Sequence, residues 1–115
     1  MAELNIKERQ ADSVTVLDMQ GRITIGEGSV ALRNAIRKLL EEGKKNILLN
    51  LAGVSYVDSS GIGELVSSFT SVNKEGGKLK LLNLTQKIQD LLAITKLLTV
   101  FDTFEAEQEA VDSYK

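Results

Sequence analysis

The sequence predicts a single α/β domain, with a mixed β-sheet, an N-terminal hairpin and helices packed on one face of the sheet. Two short strand-like runs open the chain, and segments of helical and strand periodicity then alternate. Residues 46–51 form a nearly continuous apolar run, which is typical of a strand buried on both faces. Right-handed crossovers would place the intervening helices on one side of the sheet. The 115 residues are close to the usual size of one domain, so one domain is expected over residues 1–115.

The hairpin is predicted from an edge strand at residues 4–9, a turn at 11–13 and a second strand at 14–20. Val14, Val16 and Met19 of the second strand are expected to face inward. A helix then follows, with Ser29 as its predicted cap and Gly43 as its left-handed end. Its predicted inner face consists of Leu32, Ile36, Leu39 and Leu40, and its predicted solvent face of Arg33, Arg37 and Lys38.

The later elements continue the alternation. A helix is expected to start near Ser60 or Gly61 and to end near residues 73–77, before a strand at 78–83. Asn83 or Thr85 would cap a third helix. A last strand is predicted at residues 100–102 and an acidic helix at 103–111, with Glu105, Glu107, Glu109 and Asp112 solvated. The sheet face without helices would need to be covered by a partner or by the curvature of the hairpin.

The composition excludes several classes of function. The chain has no His and no Cys, which removes the usual catalytic triad, most zinc sites and any disulfide scaffold. The net charge is −2 and no basic patch stands out, which argues against nucleic-acid binding. No apolar run approaches the length of a bilayer span and no signal pattern opens the chain. We therefore expect a cytoplasmic protein that is not an enzyme, with no catalytic residue, metal, cofactor, membrane contact or direct nucleic-acid contact.

The turn at residues 58–63 is the candidate functional site. It joins the apolar strand to a helix, and it holds one carboxylate, two hydroxyls and two glycines. One interpretation is structural: Ser60 caps the helix and Asp58 accepts from a nearby backbone amide. The other is that an exposed hydroxyl is a site for a charge-changing modification. Gly61 and Gly63 favour the second interpretation. Each glycine lowers helix stability by about 1 kcal/mol relative to alanine. A partner that approaches the backbone closely would explain why the turn contains two of them.

Residues 57–63, placed after an apolar strand, resemble the signature of STAS domains, in particular of the bacterial anti-sigma factor antagonists. The resemblance covers essentially the whole chain. Residues 21–23 match the family's glycine turn before the first helix, and Gly76 with Gly77 matches the turn before the strand at 79–82. Residues 83–94 match the family's third helix.

The resemblance implies a regulatory protein that binds a serine-kinase anti-sigma factor and so frees a sigma factor. It implies that this kinase phosphorylates Ser60 or, as the alternative, Ser59, and that a PPM-type serine phosphatase reverses the reaction. Thr24 stands where the family often has an acidic residue. The expected partner-binding residues are Asp58, Ser59, Ser60, Gly61, Ile62, Gly63 and Thr24.

A second class of function stays open. STAS domains also serve as small subunits of transporter assemblies and as signalling scaffolds, where the domain supplies a docking surface without phosphorylation. The intact pair of serines favours the switch.

Overall fold

The computed structural model describes residues 3–115. The five strands are β1 (Leu4–Ala11), β2 (Val14–Ile23), β3 (Asn46–Val57), β4 (Lys78–Leu82) and β5 (Thr103–Phe104). The four helices are α1 (Glu27–Glu41), α2 (Ser59–Lys74), α3 (Gln86–Ile94) and α4 (Glu107–Asp112).

The strands form one mixed sheet in the order β1-β2-β3-β4-β5. β1 and β2 pair antiparallel as a hairpin, whereas β3, β4 and β5 extend the sheet in parallel. The predicted hairpin and mixed sheet are confirmed. Each parallel connection contains a helix, as crossovers between parallel strands require.

The main core lies between one face of the sheet and helices α1, α2 and α3. Leu17, Leu49 and Leu81 point into it from the three central strands. Leu32, Leu65 and Leu92 meet them from the three helices, and all six are at most 2% exposed. The predicted packing of helices on one face is confirmed for these three.

Helix α4 packs on the opposite face of the sheet. Val16, Leu48 and Leu82 point to this side, where they contact Ala110, Val111 and Tyr114. The Tyr114 hydroxyl donates to the carbonyl oxygen of Ile47 at 2.5 Å. The chain itself therefore covers part of the face that was expected to need a partner or the hairpin's curvature. Val16 and Met19 are both buried as predicted, but on opposite faces, since side chains alternate along a strand.

Beside this second core, a polar network crosses the same sheet face. The Arg9 guanidinium donates to both Asp18 oxygens, at 2.6 and 3.1 Å, and its Nη1 donates to Glu107 at 2.9 Å. Asn50 donates to Asp18 at 2.8 Å, and Asn83 donates to Asn50 at 3.2 Å. The Arg9 side chain thereby holds the pKa of Asp18 and of Glu107 below their usual range. The expectation that Glu107 is merely solvated is wrong, because it anchors α4 to β1.

Several predicted element boundaries are also wrong. α1 starts at Glu27 with Gly26 before it, and the Ser29 hydroxyl donates to the Thr24 carbonyl at 2.9 Å instead of capping the helix. The last strand lies at Thr103–Phe104 and not at residues 100–102, because the partners of β4 are the carbonyls of Asp102 and Phe104. Phe101 is instead buried in the main core. Its ring packs edge-to-face on the ring of Phe69, with 5.2 Å between the ring centroids.

β3 is longer than predicted. It continues beyond residue 51 to Val57, with irregularities in its register against β2 between Asp18 and Gln20 and between Gly21 and Arg22. These bulges let extra residues enter β3 without ending its pairing. They carry the strand to the start of the candidate site.

Candidate functional site

Asp58 lies between β3 and α2 and caps the helix. Its backbone is extended (φ −95°, ψ −174°), and its Oδ1 accepts a hydrogen bond from the Gly61 amide at 2.8 Å. An Asp in this position satisfies one of the amides that a helix leaves free at its N-terminus. The interpretation that Asp58 accepts from a nearby amide is confirmed, and the prediction that Ser60 caps the helix is wrong.

The second oxygen of the same carboxylate holds a different loop. Oδ2 of Asp58 accepts from the Ile25 amide at 3.0 Å, 33 residues away in the sequence. In return, the Asp58 amide donates to the Ile23 carbonyl at 3.3 Å. The Gly61 and then the Ile25 amide hold the pKa of Asp58 below its usual range, because both donate to the ionised form. Asp58 thus fixes the β2–α1 loop against the β3–α2 turn.

Ser59 and Ser60 form the first turn of α2, and their side chains leave the helix in different directions. Ser59 is exposed and Ser60 half-buried. Neither hydroxyl hydrogen-bonds to any residue between 3 and 115. Ser60 lies one turn before Glu64, which contacts α1 through Arg33. With 3.6 residues per turn, Ser59 points about 100° away from Ser60 around the helix. Both hydroxyls are accessible at the helix start, and their modification stays a prediction.

The two glycines of the turn have different causes. A Cβ on Gly61 would lie 2.0 Å from the Ile23 carbonyl oxygen and 2.7 Å from Cγ1 of Val57. The end of β2 therefore excludes any side chain at this position. A Cβ on Gly63 would meet nothing within 4 Å. Only Gly63 leaves open space that a partner could use. The interpretation that a closely approaching partner explains both glycines is therefore wrong for Gly61.

The other predicted partner-binding residues differ in their exposure. Ile62 is only 6% exposed and belongs to the main core. Thr24 is half-buried, and its carbonyl oxygen accepts from the amide and hydroxyl of Ser29. Their roles in binding stay predictions. Because Ile62 is buried, its role would be to support the turn from the core side.

Apolar side chains are exposed on the β2–α1 loop, on α1 and on the strand that leads into the turn, and the sequence pattern did not predict them. Ile25, held by Asp58, is 76% exposed. Val30 in the first turns of α1 and Tyr56 near the end of β3 are also exposed. The signal available in the sequence was an isolated apolar residue beside Gly26 in a loop. Scattered exposed apolar residues are common, but several of them on segments that flank a polar turn would suit a protein interface.

Among residues 3–115, no group of three or more Asp or Glu residues is arranged to hold a metal ion. None of the helices formed by these residues is long and apolar enough to cross a membrane.

The chain is similar to known proteins over nearly its whole length. Residues 5–110 match the model of the STAS domain family. The anti-sigma-B factor antagonist of Bacillus subtilis (strain 168) is 34% identical over 99 residues, which cover 86% of this chain and 89% of that protein.

Solved structures show the same fold. An anti-sigma factor antagonist from Mycobacterium paratuberculosis has a TM-score of 0.84 at 19% identity, covering 96% of this chain and 93% of that one. The Bacillus cell fate determinant SpoIIAA in its phosphorylated form has a TM-score of 0.74 at 19% identity, covering 96% of this chain and all of that one.

Proposed function

Because the chain belongs to the STAS domain family, and within it to the anti-sigma factor antagonists, we propose that it binds an anti-sigma factor and so frees a sigma factor. The observation that carries the proposal is the first turn of α2. Two hydroxyls without a hydrogen-bond partner among residues 3–115 lie there, at a helix end that Asp58 holds in place. The proposed activity is binding without catalysis, in the cytoplasm, where sigma factors act.

We propose a binding surface that combines the turn with its apolar surroundings. Ser59 and Ser60 supply the polar centre, and Gly63, one turn after Ser59, leaves open space for a partner. Ile25, Val30 and Tyr56 supply apolar area around it. Asp58 contributes by holding Ile25 and the helix start in one arrangement, which lowers the ordering cost of binding.

We propose that the anti-sigma factor is a serine kinase that phosphorylates Ser60, with Ser59 as the alternative, and that a PPM-type phosphatase removes the phosphate. The greater exposure of Ser59 supports the alternative, and the position of the second serine in the family's motif supports Ser60. The phosphate would add about −1.5 to −2 charges. The helix N-terminus would favour this charge by about 0.3–1 kcal/mol, while Asp58 would repel it.

The fold should therefore tolerate the phosphate, and the effect should fall on binding. A partner surface that fits a serine hydroxyl would have to remove the water around the phosphate without offering a cation that pairs with the phosphate charge. A penalty of about 3 kcal/mol would weaken the complex more than a hundredfold.

The test uses the whole chain and the anti-sigma factor kinase of the same organism. Kinase and ATP should add one phosphate, mapped by mass spectrometry to Ser60 or Ser59. Ser60→Asp should weaken binding at least a hundredfold in calorimetry, whereas the uncharged Ser60→Asn, of the same size, should weaken it much less. The pair Ser59→Asp and Ser59→Asn separates the second serine in the same way. If all four variants bind like the wild type and neither serine is phosphorylated, the switch is wrong and an unphosphorylated docking subunit of a transporter or scaffold becomes the better function.

A further inference from the structure

Tyr56 lies near the carboxyl end of β3, beside an arginine of the neighbouring strand. It is 43% exposed and precedes Asp58 by two positions. In the parallel pairing of β2 with β3, its partner is Arg22. The next pair, Ile23 with Val57, points into the main core. Because side chains alternate along a strand, Arg22 and Tyr56 both point to the opposite face of the sheet.

Lys87 approaches the same ring from helix α3. Its Nζ lies 5.9 Å from the centroid of the Tyr56 ring, which is within the range of a cation–π contact. Since α3 packs on the main-core face and Tyr56 points to the other one, the two side chains meet around the carboxyl edge of the sheet. We call Arg22, Tyr56 and Lys87 the cationic corner.

The two cations of this corner have no carboxylate partner within the described part of the chain. None of the ion pairs among residues 3–115 involves Arg22 or Lys87, and both side chains are exposed. Glu3, opposite Arg22 in the hairpin, accepts from its backbone amide through a carbonyl oxygen at 3.0 Å. Asp90, one turn after Lys87, accepts from a glutamine side chain of the same helix at 2.8 Å.

Lys87 also stands at a position that its own helix disfavours. It is the second residue of α3, directly after the first turn is capped by Thr85. A cation in the first turn opposes the helix dipole, which favours negative charge there. Departures from local preference of this kind are expected at functional sites, so an external acidic group would explain this lysine.

A carboxylate is the group that suits the whole corner. Arginine donates to a carboxylate through two parallel hydrogen bonds, lysine donates through its ammonium, and a tyrosine hydroxyl supplies a further donor. We propose that the cationic corner binds an aspartate or glutamate side chain of the anti-sigma factor, which rests on the function proposed for the whole chain. An acidic partner at this edge would also repel a phosphate on Ser59 or Ser60, and so add to the effect of the switch.

The test measures the association rate of the whole chain with the anti-sigma factor of the same organism over a series of sodium chloride concentrations. Lys87→Gln and Arg22→Gln should each slow association about threefold at low ionic strength and reduce its dependence on salt, because charges at an interface rim act mainly on association. Lys45→Gln is the matched control, since Lys45 is an exposed lysine at the opposite end of β3. It should leave the rate unchanged.

Carbodiimide cross-linking identifies the partner group. The reagent joins a lysine amine to a carboxylate in contact with it, so mass spectrometry of the complex should find Lys87 joined to an aspartate or glutamate of the anti-sigma factor. Lys87→Arg should keep the association rate and lose this cross-link, and Lys45 should form none.

The outcomes separate this contact from the proposed function. If the wild type binds and both corner variants associate at the rate of Lys45→Gln, the corner is wrong although the chain still binds an anti-sigma factor. Slower association with an unchanged salt dependence would also overturn the proposal, because it would show a loss of shape and not of charge. If the wild type itself does not bind, the proposed function fails and the corner with it. Circular dichroism confirms that each variant is folded.

Discussion

Asp58 connects two loops through one carboxylate. Its two oxygens accept from Gly61 at 2.8 Å and from Ile25 at 3.0 Å, so neither loop can move away without losing a charge-assisted hydrogen bond. This residue has no need to contact a partner in order to matter for binding. Its position explains how a short polar turn can present Ile25 and the two serines together.

The two glycines of the turn offer a matched pair of substitutions. Gly61→Ala should destabilise the fold by about 1–3 kcal/mol, because a Cβ 2.0 Å from the Ile23 carbonyl forces the backbone apart. Gly63→Ala should instead stabilise it by up to about 1 kcal/mol, because the site is open and alanine favours the helix. Urea denaturation measures both. Equal effects of the two substitutions would contradict the assigned cause of each glycine.

At the residue scale, the sequence identified the turn but not the role of each residue. The period change after the apolar strand predicted where helix and turn meet. The choice of Asp58 over Ser60 as cap could not be predicted, because it depends on where the bulged β3 ends. The need for Gly61 likewise depends on the Ile23 carbonyl, which is distant in sequence.

At the scale of elements, α4 is a helix whose position depends on ion pairs. It has six residues and no side-chain cap. Arg9 connects Glu107, the first residue of α4, to Asp18 of β2. Tyr114, which follows α4 in the chain, donates a hydrogen bond to the carbonyl of Ile47. A helix this short has little stability of its own, so tertiary contacts must hold it.

The attachment of α4 should weaken in acid. Asp18 and Glu107 have pKa values lowered by Arg9, so their contribution is complete at pH values above the ordinary 3.8 and 4.5 and is lost as the pH falls below them. At neutral pH, Arg9→Met should cost about 0.5–2 kcal/mol, since both ion pairs are partly solvated. The cost should shrink towards zero in acid, as measured by urea denaturation at a series of pH values.

Arg22→Met is the control for this experiment, because Arg22 is an exposed arginine of β2. Its cost should be small and independent of pH. An Arg9→Met cost that stays constant into acid would mean that the ion pairs do not hold α4.

The sequence could not place α4. Its acidic pattern indicated a solvated helix, and nothing local to residues 103–111 shows that Glu107 meets Arg9, 98 residues earlier. The predicted position of the last strand was wrong for a related reason. A strand of two residues is fixed by its hydrogen bonds to the neighbouring β4 more than by its own composition. By contrast, α1, α2 and α3 were predictable, because their apolar spacing is local.

At the scale of the molecule, β3 belongs to both cores. Ile47 and Leu49 point to the helices α1 to α3, while Leu48 between them points to α4. A strand shared in this way should make the two cores unfold together. The alternation of strands and helices was enough to predict the sheet and its main core, but not that the second face carries a core of its own.

Leu48→Ala tests this coupling. It should destabilise the fold by about 2–5 kcal/mol, as expected for a fully buried leucine. In a Tyr56→Phe background, the fluorescence of Tyr114 follows the α4 side, while far-ultraviolet circular dichroism follows mainly the other helices. Both transitions should shift to lower urea by the same amount. A separate, earlier transition of Tyr114 would show that α4 and its core unfold independently.

The bridge from Asp58 has a kinetic consequence. The Ile25 and Gly61 amides come from distant parts of the chain but share one acceptor side chain. Their protons should therefore exchange with deuterium in a single local opening, in which the loop and the first turn of α2 are released together. A molecule that binds over Ser59 or Ser60 would then also slow the exchange of the Ile25 amide proton on the neighbouring loop. The exchange rate of Ile25 would therefore report binding at the first turn of α2.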